Sequence, residues 1–252
     1  MPHPQRTVKA LAAQGCSAAY VLWHGPCFTP ARNPRASGGK PVQRPTRQTA
    51  TDLTRERYDR LAARYDRSEA LMERLLFAAW RQRLWARVRG PRVLEVGVGT
   101  GKNMPCYPPG MQITAVDLSP AMLAQARRRA ADLGLQVDLR EMDAEHLEFP
   151  DASFDSAVAT FVFCSVPEPI RGLAEMRRVV RPGGRVLLLE HIRAANPILG
   201  HLMDALNPLV VRHIGANINR RTLENLRAAG LKLVRVERLS ALGVFILVEA
   251  TP

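Results

Sequence analysis

Several features are scarce in this chain. No run of about 18 apolar residues occurs among its 252 residues, so no transmembrane helix is expected. The four cysteines, Cys16, Cys27, Cys106 and Cys164, show no CxxC spacing and no dense framework. That pattern fits free thiols in a reducing, cytoplasmic setting. The six histidines include no HxH or HExxH, so no metal site is expected. Lysine is rare beside arginine, and heavy Arg and Ala usage reads as coding bias rather than as a binding surface. The apolar patch near the start is broken by Gln14, Gly15 and Ser17 and makes a poor secretory signal.

The net charge of +13 is unevenly placed. Residues 1–50 hold seven Lys/Arg and no acid, with much Pro, Gly and Ser and no apolar period. They read as a disordered basic extension, and residues 51–252 as one domain. From residue 93 onward the charges nearly balance, so the excess does not point to a specific nucleic-acid partner.

Order should begin near Asp52, where Leu53, Tyr58, Leu61 and Tyr65 recur at helical spacing. Ser68 is placed to cap a second helix, with Leu71, Leu75, Ala78 and Leu84 toward the core. From residue 91 strands and helices alternate. RVLEV and QITAVD read as strands, and Ser119-Pro120 opens a helix that Gly134 ends. QVDLREM, SAVATFVF, GRVLLLE, LKLVRVERL and GVFILVEA are further strands, with PIRGLAEMRRVV and NRRTLENLRAAG as helices. Seven strands alternating with helices argue an α/β, doubly wound sheet whose final pair is antiparallel.

The segment VLEVGVGTGKN lies between the first strand and a helix, at the sheet end where such folds bind ligands. A Walker A loop is excluded by spacing and by Asn103 after Lys102. The dinucleotide fingerprint needs glycine at 102, where lysine stands. Glu95, just before the first glycine, repels a pyrophosphate but suits a ligand carrying an ammonium and a sulfonium. Glu95 with Gly97, Gly99 and Gly101 therefore favours S-adenosyl-L-methionine (SAM). Asp117, ending the second strand, can accept from both ribose hydroxyls. Asp143 can accept from the adenine amino group, the Ala144 N–H can meet a ring nitrogen, and Leu118 and Met122 offer apolar contact to the base.

Those residues carry a resemblance. With YDRLAARYD, AVDLSPAML, MDAEHLEFPDASFD, FVFCSVPEP and VVRPGGRVLLLEHIR, the chain from about Tyr58 onward resembles class I SAM-dependent methyltransferases. Within them it is similar to ubiquinone/menaquinone-biosynthesis and phosphatidylethanolamine N-methyltransferase-like enzymes. The resemblance implies a seven-stranded Rossmann-like sheet ordered 3-2-1-4-5-7-6 beneath an N-terminal helical cap, SAM as cofactor, and methyl transfer to a small-molecule or lipid-like acceptor such as a quinone, phospholipid amine or thiol. It also implies Phe161 as a cofactor contact and Tyr65 as a lid contact.

Methyl transfer from a sulfonium needs positioning more than acid–base help. His191, ending the fifth strand, is the candidate general base, and Glu190 beside it should turn into the sheet packing. Cys164 lacks the preceding proline of cytosine-C5 methyltransferases and reads as a buried thiol. Residues 196–218 read as two short helices broken at Asn207-Pro208, forming an apolar lid over the acceptor. Leu199, Leu202, Met203 and Leu206 mark its inner face, which Val210, Val211 and Ile214 continue. Such a lid suits peripheral contact with a membrane surface. Two alternatives stand beside this reading: a nucleic-acid methyltransferase recruited by the basic tail, and a SAM-binding regulator without turnover. No feature fixes an oligomeric state.

Overall fold

The computed structural model describes residues 49–213 and 215–252. The expected disordered extension lies outside these residues, except for Thr49 and Ala50, which open the first helix. That helix, α1 (Ala50–Met72), starts at a reciprocal capping box between Thr49 and Asp52. It does not break at Ser68. The Ser68 hydroxyl donates to the Tyr65 carbonyl one turn back, so it stays inside the helix instead of capping a new one. A π-helical turn (Glu73–Phe77) then leads into α2 (Ala78–Trp85).

The π turn inserts residues into the helical repeat and rotates the inward face. Leu71 and Leu75 are therefore 68% and 63% exposed, and Ala78 is exposed as well. Phe77, Trp80, Leu84 and Trp85 are buried in their place. Of the four positions expected in the core, Leu84 alone is there.

Seven strands complete the chain: β1 (Arg92–Val96), β2 (Gln112–Asp117), β3 (Val137–Glu141), β4 (Phe154–Thr160), β5 (Val180–His191), β6 (Lys232–Arg238) and β7 (Phe245–Thr251). They form one sheet ordered β3-β2-β1-β4-β5-β7-β6. β1 pairs in parallel with both β2 and β4, and β7 runs antiparallel between β5 and β6. The order and the antiparallel strand match the expectation. β5 starts earlier than GRVLLLE, because Val180 already pairs with Phe154 and the Pro-Gly-Gly segment forms a bulge.

Strand alternation divides the core in two. Leu94, Val96, Ala157 and Leu188 face one layer with α4 (Pro169–Val179) and α6 (Thr222–Ala228). Val93, Ala115, Val158 and Leu187 face the other, with α2 and α3 (Pro120–Asp132). Ser119 caps α3 as expected, accepting from the Met122 N–H at 3.1 Å.

The expected pair of lid helices is a single helix, α5 (Pro197–His213), with Pro208 inside it. Asn207 does not cap a new helix. Its side chain reaches forward, accepting from the Ile218 N–H and donating to Asn217. Gly200 and Met203 face inward, whereas Leu202 and Leu206 are 53% and 45% exposed, so the inner face differs from the expected one. Ile214 lies outside the described residues.

The π turn makes a direct prediction. Leu84→Ala should destabilise the protein by about 2–5 kcal/mol, the range for a buried leucine. Leu75→Ser should change stability by less than about 0.5 kcal/mol, as at an exposed site. Chemical denaturation of both variants checks this, and equal losses would return Leu75 to the core.

Candidate cofactor site

The carboxyl ends of β3, β2, β1 and β4 open into one cleft, the end of such a sheet where ligands bind. Tyr65, Gly97, Gly99, Asp117, Leu118, Met122, Asp143, Ala144 and Phe161 all line it, so most of the expected residues converge. Thr54, Tyr58, Thr160 and Ser165 line it too, without having been singled out as contacts.

The three glycines do different work. Gly99 has φ +56° and open space where a Cβ would stand, so a side chain there would project into unfilled space at the cleft. At Gly97 (φ +69°) a Cβ would meet the Val162 side chain at 2.4 Å. Gly101 closes against the Met104 side chain and is not among the lining residues.

Asp117 is held by backbone. Its Oδ2 accepts from the Gly99 N–H at 2.7 Å and its Oδ1 from the Ser119 N–H at 2.9 Å. Burial raises its pKa to about 6 against those bonds. Asp143 accepts from the Glu145 N–H at 2.8 Å in a local turn that sets Ala144 at the cleft.

Glu95 lies on the other face of β1, in the layer with Val93. It does not line the cleft. Its carboxylate accepts from Asn103 at 2.7 Å and from the Tyr107 hydroxyl, and burial raises its pKa to about 7. Glu95 thus stands behind the cleft wall, bonded to Asn103 and Tyr107.

Phe161 has φ +57°, a region that costs a bulky side chain free energy. Neighbouring bonds hold it there. Its N–H donates to the Leu189 carbonyl at 2.8 Å, and buried Glu190 accepts from the next two N–H groups, Val162 and Phe163, at 3.0 Å each. Glu190 therefore faces the sheet packing, as expected. Its pKa is raised to about 7 by burial.

His191 is not brought to the cleft. Its half-buried ring packs on Phe245 at 5.6 Å, and Phe245 packs in turn on Phe161. Burial lowers its pKa, which keeps it neutral at neutral pH. Cys164 is buried with its thiol pKa pushed up to about 12, which leaves it without thiolate for nucleophilic work. Among the described residues no group of three His, Cys, Asp or Glu is set to hold a metal ion.

α1 roofs the cleft, and its attachments are polar. Tyr58 shares a hydrogen bond of 2.5 Å with Ser165. Asp59 accepts from the Ser119 hydroxyl at 2.5 Å and the Ala121 N–H at 3.2 Å. Asp66 accepts from Thr100 at 2.6 Å and pairs with Arg129. Lys102 pairs with Glu69 at 3.1 Å and lies 5.1 Å from the centre of the Tyr65 ring.

The methyltransferase-domain family matches residues 94–188. A demethylmenaquinone methyltransferase of Deinococcus radiodurans is 33% identical over 179 residues, spanning 69% of this chain and 74% of that protein. The chain belongs to the class I SAM-dependent methyltransferases. A phosphatidylethanolamine N-methyltransferase of Cereibacter sphaeroides is 50% identical over 105 residues, which is 41% of this methyltransferase-family chain. The match spans only 52% of that relative, about half its length.

Solved structures share the fold. A SAM-dependent methyltransferase of Thermotoga maritima, described as a possible histamine N-methyltransferase, aligns at TM-score 0.59 with 24% identity, over 78% of this chain and 98% of that one. The [4+2]-cyclase SpnF aligns at TM-score 0.57, also with 24% identity, over 70% and 80%. The methyltransferase fold alone thus does not fix a reaction.

The buried acids generate a pH prediction. Asp117, Glu95 and Glu190 have folded-state pKa values of about 6, 7 and 7, above their ordinary 3.8, 4.5 and 4.5. An acid that binds its proton more tightly when folded adds stability as pH falls through its folded value. The ligand-free melting temperature should therefore rise from about pH 8 to about pH 5, by up to about 1.4 kcal/mol per group per pH unit. His191, lowered by burial from its ordinary 6.5, opposes this in part below about pH 6.5, and Glu175 and Asp204, held low by Arg178 and Arg193, oppose it below about pH 4.5. Glu190→Gln should flatten part of the slope. A melting temperature that falls steadily over the same range would contradict the assignment.

Proposed function

We propose that this protein transfers a methyl group from SAM to a lipid-soluble acceptor taken from a membrane surface. The residues fit the cofactor. Asp117 would hold the ribose hydroxyls, Asp143 and the Ala144 N–H the adenine edge, and Leu118 and Met122 its faces, while Gly99 leaves the backbone open to close approach. Tyr65 and Phe161 would bound the remaining arm. Bound SAM supplies a methyl group made electrophilic by its sulfonium. The chain's own contribution is to orient the two reactants and exclude water, with α1 as the roof. No step is assigned to His191, which sits behind Phe245 and Phe161.

One observation carries the acceptor class. α5 turns Ile198 (81% exposed), Leu202, Leu206 and Leu209 outward as a single stripe. Arg212 and His213 stand at its end, and its one acid, Asp204, is paired with Arg193. This combination of apolar face and basic end suits an anionic lipid surface. The segment that follows α5 is tied to the cleft wall. Asn217, just beyond α5, bonds the Cys164 carbonyl, and Arg220 bonds that of Val166, a cleft-lining residue. The relatives' names, ubiquinone/menaquinone and phosphatidylethanolamine methyltransferases, support a lipid-soluble acceptor. No helix among the described residues is long and apolar enough to cross a membrane, and the exposed stripe of α5 is the contact this reading assigns.

Calorimetry should show SAM bound by wild type and weakened by about 1.5–3 kcal/mol in Asp117→Ala, the range for lost bonds to a charged group. An indifferent Asp117 would remove the cofactor assignment. Separately, a variant with Ile198, Leu202 and Leu209 changed to serine should lose flotation with phosphatidylglycerol-containing vesicles. Its KM for vesicle-borne acceptor should rise while SAM affinity holds. Methyl transfer from labelled SAM into extracted quinone and phospholipid pools identifies the acceptor, and transfer only into a water-soluble pool would overturn the lipid reading.

A further inference from the structure

Asn103 stands behind the wall of the cleft with both N–H groups and the oxygen of its carboxamide bonded. Its Oδ1 accepts from Arg81 Nη1 at 2.9 Å. Its Nδ2 donates to Glu95 Oε1 at 2.7 Å and to Thr160 Oγ1 at 3.0 Å. The reverse orientation is excluded because a guanidinium only donates, so the atom facing Arg81 must be the acceptor oxygen. Arg81 is itself fixed by two bonds to Glu73, at 2.9 and 3.2 Å. Arg81, Asn103, Glu95 and Thr160 are all buried, so water does not compete for these bonds.

The consequence falls on Thr160, the member of this chain that lines the cleft. Its oxygen accepts from Asn103, so its own proton points away from Asn103. Thr160 ends β4, beside β1, which in turn lies beside β2 with Asp117 at its end. A nucleoside whose ribose meets Asp117 and whose base meets Asp143 has its remaining arm over the ends of β1 and β4. On the methionine arm of SAM, the carboxylate is the group that accepts a hydrogen bond, since the ammonium and sulfonium do not.

We propose that the Thr160 hydroxyl donates to the methionine carboxylate of SAM, and that Asn103, oriented by Arg81, is the positioning residue that aims it. This rests on the reading of the cleft as a SAM site. The test compares two ligands: SAM, and 5′-methylthioadenosine, which lacks the amino-acid arm. Thr160→Val should bind SAM at least about 10-fold more weakly, as for a lost bond to a charged group. The same variant should bind methylthioadenosine as wild type does, and Thr160→Ser, which keeps the hydroxyl, should retain SAM affinity.

Asn103→Asp sets a second carboxyl against Glu95. Its SAM affinity should be low at about pH 8 and recover toward about pH 6, as a proton shared by the pair restores one donor. Wild-type affinity should not rise in that direction. A role confined to structure would weaken both ligands together and lower the melting temperature of every variant. Thr160→Val that binds both ligands like wild type, or loses both in parallel, overturns the proposal. A wild-type protein that binds neither ligand overturns the SAM-site reading itself and the proposal with it.

Discussion

The parallel pairing of β1 with β2 on one side and β4 on the other is the constraint on which the site depends. It sets three strand ends in a row, with Asp117, the glycine loop and Thr160 side by side at the same edge of the sheet. Winding reverses at β1, so the helices after β2 and β4 diverge to opposite layers and leave a crevice between them. The acids at this row are held by short bonds to backbone. The Gly99 and Ser119 amides fix Asp117, and Glu190 fixes the turn after β4 through two amides. Burial makes those carboxylates expensive to ionise, and the amide bonds offset part of that cost.

Much of this was legible in the residues, for reasons that can be named. Buried parallel strands leave short apolar runs, and seven of them with helices between allow few sheet orders. Glycines at alternate positions after a strand, and an aspartate ending the next strand, are local requirements of backbone approach and hydrogen bonding. They are visible without any tertiary contact. Period-two alternation also carried information that the motif obscured. Val93 and Glu95 share a face, and Val93 packs under α2 and α3, so Glu95 had to lie behind the wall instead of in it.

The features that the residues did not disclose depend on contacts distant in sequence or on irregular backbone. A π-helical turn has no composition of its own, so the rotation that exposes Leu75 and buries Phe77 could not be read from a 3.6-residue period. Asn207-Pro208 looks like a helix start in isolation. The bonds from Asn207 to Asn217 and Ile218 exist only after the chain returns. Thr160 carries one of two hydroxyls in its strand, and what distinguishes it is fixed by Arg81 and Asn103, far away in the chain.

The way the roof over the cleft is fastened has a consequence. α1 spans 23 residues, and Ala62 is its one buried residue. It is fastened by hydrogen bonds and by ion pairs, among them Asp66–Arg129 and Glu69–Lys102, which remain partly open to solvent. Apolar burial is insensitive to dilute salt, whereas partly exposed ion pairs are screened within a Debye length of about 8–10 Å. Opening of the roof is therefore coupled to ionic strength while the sheet beneath is not. The hold of the roof on its floor is thus set by ions in the medium as well as by the residues of the two surfaces.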